Sequence, residues 1–222
     1  MPKRPYYLLL PAILVLPGVS ALRGGWASIT LDHLPEYAVA GKPLTLSFVV
    51  RQHGVTPLKG LKPTIEARAG GVNARAAASA GKSDGQYVVS LELPEPGDWT
   101  LTIHSGFGPS KLTLLPLRTV AADAAPPAAA AEPERGRQLF VAKGCVGCHV
   151  RAEAALAEGG EFGPSLTGKR YAADYLKRFL ADPSIPDRPR SGTFVMPNLE
   201  LKPTEISALV AFLNADRHSG QD

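Results

Sequence analysis

The sequence predicts a two-module chain, an all-β sandwich followed by an all-α module. Three observations carry this. Apolar residues alternate with polar or small ones through much of the first half, the period of a half-buried strand. Residues 119–133 (TVAADAAPPAAAAEP) are low-complexity Ala/Pro sequence without any apolar period, the composition of a semi-rigid spacer. Beyond the spacer, apolar residues recur at helical spacing. The 222 residues leave room for two small domains. At 45% hydrophobic and 20% charged, the composition is ordinary for a globular protein. A net charge of +4, with no Lys/Arg-rich run, excludes a nucleic-acid binder. Two cysteines exclude a disulfide-stapled scaffold.

Residues 1–22 have the three-part layout of an export signal. Lys3 and Arg4 lead, an apolar stretch runs from Tyr6 to Val19, and Val19-Ser20-Ala21 fits a cleavage site. The apolar run is short for a span and contains Pro11 and Pro17, so cleavage is favoured over a retained anchor. Either outcome places the rest of the chain outside the cytoplasmic membrane, in the periplasm or on the membrane's outer face.

The first module, residues 28–118, is expected to hold about seven strands. Leu44, Leu46, Phe48 and Val50 alternate, as do Trp99, Leu101 and Ile103, and Leu112 with Leu114; Tyr87 to Leu93 is a further strand. Turn sequences separate them at Ala40–Pro43, Gly70-Gly71, Ser83–Gly85 and Pro94–Asp98. The stretches LTLSFVVRQHG (44–54) and PEPGDWTLTIHSGF (94–107) are similar to the immunoglobulin-like YtkA-like/FixH-like group of periplasmic β-sandwiches.

The second module, residues 134–218, reads as three helices. The first covers Glu134 to Lys143. The second covers Ala172 to Ala181, with Tyr175, Leu176, Phe179 and Leu180 on one side and Asp182-Pro183 as its stop. Pro203 and Glu205 suit the first turn of the third, whose Ile206, Leu209, Val210 and Leu213 form one apolar stripe.

Between the first two helices lies Cys145-Val146-Gly147-Cys148-His149, the pattern C-x-x-C-H. Two thiols at this spacing can join the two vinyl groups of one porphyrin, and the adjoining His is then held under the iron as an axial ligand. Three alternatives are weaker. A dithiol redox site prefers a βαβ context. A closed zinc site needs four ligands, and no second Cys pair exists. A disulfide across two residues would constrain little.

With these residues in view, residues 134–218 resemble a class I cytochrome c. ERGRQLFVAKGCVGCH (134–149) is similar to that family's first helix and haem-binding stretch, with Gly136 and Phe140 where the first helix meets the last. Gly163-Pro164-Ser165-Leu166 resembles its G-P-x-L turn. That resemblance implies that Gly163, Pro164 and Leu166 shape the pocket, and that the Pro164 carbonyl accepts a hydrogen bond from the outer nitrogen of His149. YLKRFLADP (175–183) resembles the helix before the distal loop, and Phe194-Val195-Met196-Pro197 the distal-ligand segment.

Met196 is the sole thioether besides the initiator. A lone Met is ordinarily a core gap-filler, but the haem motif, Pro197 and the terminal helix favour it as the sixth ligand over His33, His53, His104 or His218. With both axial sites filled, electron transfer is favoured over chemistry at iron. His33, His53 and His104 show no metal spacing and read as surface residues. Ser165 and Ser191 sit in no nucleophile motif. Lys169, Arg170, Lys177 and Arg178 form a basic group that reads as a solvated helix face, with docking to an acidic redox partner as the functional alternative. Arg151 to Glu161 reads as a surface loop.

The expectation is an exported mono-haem c-type cytochrome, an electron carrier and not an enzyme in its own right. Cys145 and Cys148 would attach one haem c, and His149 and Met196 would bind its iron. Its partners would be a redox donor and acceptor, and it could be a subunit of a respiratory or photosynthetic membrane complex. The alternative is a haem enzyme or gas-ligand sensor with an open or labile sixth site.

Overall fold

The computed structural model describes residues 25–154, 162–186 and 195–215. The proposed signal or anchor (1–22), Ser191 and His218 lie outside these residues. Among the described residues, no helix is long and apolar enough to cross a membrane.

Eleven strand segments build the first module: β1 (Ala27–Leu31), β2 (Ala38–Val39), β3 (Pro43–Gln52), β4 (Thr56–Pro57), β5 (Thr64–Ala69), β6 (Val72–Ala77), β7 (Ser79–Ala80), β8 (Gln86–Glu92), β9 (Gly97–His104), β10 (Lys111–Thr113) and β11 (Leu117–Val120). Seven of these have four residues or more. Of the other four, β2, β4 and β7 are too short to show a period in sequence, and β10 carries Leu112, read with Leu114 as an alternating pair. One sheet runs β1-β3-β8-β7, with β4 on β3. The other runs β2-β11-β9-β5-β6, with β10 on β9. All pairings are antiparallel except β2 with β11.

The alternating residues turn one face of each sheet onto a shared core. Leu46 pairs with Val89 and Phe48 with Tyr87 in one sheet, and Ile65 with Ile103 in the other, and all six are buried. Buried polar tips find partners. The Trp99 indole N–H donates to the Glu95 carbonyl at 2.9 Å, and the Tyr87 hydroxyl donates to the Leu58 carbonyl at 2.8 Å. A buried polar group without a partner would cost roughly 1–3 kcal/mol.

The second module contains α1 (Glu132–Ala142), α2 (Ala173–Ala181) and α3 (Pro203–Asn214). Since β11 ends at Val120 and α1 begins at Glu132, the spacer is 121–131. Helices α1 and α3 cross at Gly136: a Cβ there would stand 1.9 Å from the Ala208 carbonyl oxygen, so only glycine allows the approach. One turn on, the Phe140 and Phe212 rings meet at 5.6 Å. The start of α3 is capped by Glu205, whose Oε2 accepts from the Lys202 N–H at 3.0 Å. Its Oε1 forms a buried ion pair with Lys143 Nζ at 2.8 Å.

The spacer does not leave the modules apart. Arg135 of α1 donates to the Pro35 carbonyl at 3.3 Å and to that of Leu34, and Lys143 Nζ donates to the Asp32 carbonyl at 3.0 Å. Helix α1 is thereby seated beside β1.

Candidate functional site

Helix α1 ends where Gly144 takes a left-handed φ of 77°, and the chain then enters a short 3₁₀ turn over Cys145–Gly147. The turn is closed by the Cys148 and His149 N–H groups, both donating to the Cys145 carbonyl, at 3.1 and 2.8 Å. This fold of the backbone puts Cys145, Cys148 and His149 on one cavity of about 570 Å³. Phe140, Leu209 and Leu213 from α1 and α3 line it, together with Tyr175, Leu176, Phe179 and Leu180 from α2. Gly163, Pro164, Leu166 and Met196 also line it. All seven cofactor-site residues expected from the sequence therefore meet at one place.

The geometry around His149 leaves one ring nitrogen available. Its Nδ1 lies 2.9 Å from the Pro164 carbonyl oxygen and donates to it, which directs Nε2 as the acceptor nitrogen. Gly163 packs against the imidazole so closely that a Cβ there would come within 2.5 Å of the ring. Burial holds the imidazole below the ordinary histidine range, with the Pro164 contact opposing it, a shift that favours the neutral ring. A neutral, oriented imidazole is what a metal ligand requires.

The cysteines are both thiols. Burial pushes the Cys145 thiol up to about 12, with the neighbouring Cys148 adding to it, and burial raises Cys148 as well. A dithiol redox site needs the opposite shift, toward thiolate. Zinc is not supported either, because among the described residues no group of three or more His, Cys, Asp or Glu is placed to hold a metal ion.

The residues fit a haem. A large, mostly apolar cavity with few convergent polar groups is the usual form of a cofactor site. Two thiols, one imidazole nitrogen and one thioether are groups that could attach it and bind its iron. Among the described residues the buried hydroxyl of Tyr175, also on the cavity, has no hydrogen-bond partner, and it could satisfy a polar edge of an enclosed group.

Other expectations distribute differently. His104 lies beside Glu66 at 3.8 Å on β9, and His33 is exposed after β1, so no histidine cluster forms. His53 is exposed in the turn after β3, in keeping with its reading as a surface residue, and it also lines the cavity. Lys169, Arg170, Lys177 and Arg178 are exposed beside the cavity-lining Tyr171, Tyr175 and Phe179.

Arg151 corrects the reading of 151–161 as surface. It is 5% exposed, and donates to the Leu166 carbonyl at 2.9 Å and to that of Phe212 at 3.1 Å. Its guanidinium also lies 4.9 Å from the centroid of the Phe212 ring. It thus ties the loop after His149 to the end of α3. Residues 155–161 lie outside the described residues.

Comparison with solved structures finds S-layer protein SbsC. Its domains 4 and 5 align at 19% identity and a TM-score of 0.32, covering 42% of this chain and 51% of that one. A six-domain structure of the same protein aligns at 18% identity and a TM-score of 0.33, covering 44% of this chain and 13% of that one. The chain thus spans about half of the first and a small part of the second. No curated protein matches the chain. Residues 133–215 match the family model described as Cytochrome c. With the two thiols, the oriented imidazole and the thioether around one cavity, the C-terminal module of this chain is a cytochrome c domain.

Proposed function

We propose that the chain is an exported mono-haem c-type cytochrome of class I type, carrying single electrons between a redox donor and an acceptor. An immunoglobulin-like sandwich stands before the haem domain. The location is the periplasm or the outer face of the cytoplasmic membrane, and membership of a respiratory or photosynthetic complex is compatible with it. The observation that carries this reading is the convergence of Cys145, Cys148, His149 and Met196 on one cavity within the cytochrome c match.

Bound haem supplies a one-electron Fe(III)/Fe(II) couple. Cys145 and Cys148 would hold it through thioether bonds, and His149 Nε2 and the Met196 sulfur would bind its iron. The Pro164 carbonyl fixes the ring of His149, so the ligand need not reorient when the charge changes. Leu176, Leu180, Leu209 and Leu213 exclude water. A thioether opposite a histidine raises the potential relative to two histidines.

The test is absorption spectroscopy of the matured protein and its Met196→Ala variant. The expected result is a covalent c-type spectrum with the weak long-wavelength Met-to-Fe(III) charge-transfer band, lost in the variant together with a fall in potential. A covalent haem without that band in the unmutated protein would reject Met196 and favour the open-site alternative.

A further inference from the structure

The β module reaches into the haem site. Ala27, Ile29 and Leu31 of β1 face the sandwich core, so Ser28 and Thr30 face outward. Both line the cavity, and Thr30 is only 5% exposed. Its cover is the haem-binding segment itself. A Cβ on Gly144, next to Cys145, would stand 2.5 Å from the Ile29 carbonyl oxygen and 3.8 Å from Thr30 Oγ1. The turn after β3 adds His53 and Gly54 to the same wall.

A second contact bears on the proximal ligand. Trp26, just before β1, stacks on Phe162 with ring centroids 4.7 Å apart and planes 14° from parallel. His53 closes the same corner, 5.9 Å from Trp26. Phe162 leads directly into Gly163 and Pro164, which touch and hydrogen-bond the His149 ring. A third link, electrostatic only, runs toward the distal side. Arg51, on β3 opposite Ser28, sits within electrostatic range of Asp32 and of Glu200, four residues beyond Met196.

We propose that the β module is a fixed wall of the haem site, and that Trp26 is a positioning residue for His149, acting through its stack on Phe162 and the Gly163-Pro164 segment. The proposal rests on the His149/Met196 reading above. It gives the first module a task in the redox unit: closing the cysteine end of the cavity and stiffening the ligand that sets the iron's environment.

The test uses the full haem-loaded chain with Trp26→Ala, Trp26→Phe and Phe162→Leu, and Val55→Ala as a neighbouring exposed control. Three quantities are read: the reduction potential, the paramagnetic NMR shifts of the haem methyls, which report the His149 ring plane, and the rate of reduction by ascorbate. Trp26→Ala and Phe162→Leu should shift the potential and rearrange the methyl pattern in the same sense. Both should speed ascorbate reduction several-fold, because the cysteine end is opened. Trp26→Phe should restore all three toward the unmutated values, and Val55→Ala should leave them unchanged. If Trp26→Ala fails to mature, Phe162→Leu against Trp26→Phe decides the same question. Unmutated potential, methyl pattern and rate in the alanine or leucine variant, with the Met-to-iron band intact, would overturn the proposal. Absence of that band in the unmutated protein would instead break the electron-carrier reading.

Discussion

The two modules solve the problem of a small core in opposite ways. The β module fills its interior with its own side chains: Trp99, Phe48, Leu101 and Ile103 are at most 1% exposed between the sheets. The cytochrome c module packs α1 against α3 at Gly136 and Phe140, and then arranges much of its remaining apolar surface around a cavity. A module of this size buries a modest fraction of its chain even when full. With a cavity in its middle, it depends on what occupies the cavity. The first module has the means to be stable by itself, and the second is completed by its cofactor.

The sharpest way to break this comparison is to remove the attachment points. In Cys145→Ser/Cys148→Ser, covalent haem should be lost entirely. Unfolding followed by circular dichroism should split into an early helical transition and a later sheet transition close to that of the unmutated protein. A single unchanged transition would show that the cavity needs no occupant.

The converse variant is Trp99→Ala. Loss of a fully buried large aromatic costs about 3–5 kcal/mol, and here it should fall on the sheet transition in denaturant while the haem spectrum of the folded protein is retained. Gly136→Ala should act on the other side. The added methyl meets backbone, not a yielding side chain, so about 1–3 kcal/mol of overpacking should appear in the helical transition.

The smallest effect calibrates the rest. Asp182, after α2, accepts hydrogen bonds from the Ser184 N–H at 3.0 Å and hydroxyl at 2.7 Å, which hold its carboxyl below the usual range. The stabilisation this gives is present above the ordinary carboxylate range and is lost as pH falls through the depressed value. In Ser184→Ala, an NMR titration of Asp182 should move upward toward the ordinary value, with both unfolding transitions and the haem spectrum unchanged.

Much of this was legible in the sequence, for a definite reason. The residues proposed to attach and ligate haem sit in short local patterns, and the strands β3, β8 and β9 show their period over seven or more residues. The helices α2 and α3 announce their ends with proline. What stayed hidden depends on contacts between distant segments. Arg151 looked like loop sequence because its partners, Leu166 and Phe212, are carbonyls and leave no residue signature. Trp26 lies far from Phe162 in the chain, and the stack leaves no period. The Ala/Pro stretch lies between β11 and α1, but composition alone could not say that β1 would come to lie against Gly144.

That close approach has a consequence for the order in which the protein is built. The β module precedes the cysteines in the chain and has its own core to fold around. Once β1 is seated on Gly144, the route to Cys145 past that strand is shut by backbone, which does not yield as a side chain would. A haem joined before the helical module docks would not have to pass that strand. Residues 121–131 supply the slack, at up to ~3.3–3.6 Å per residue when extended.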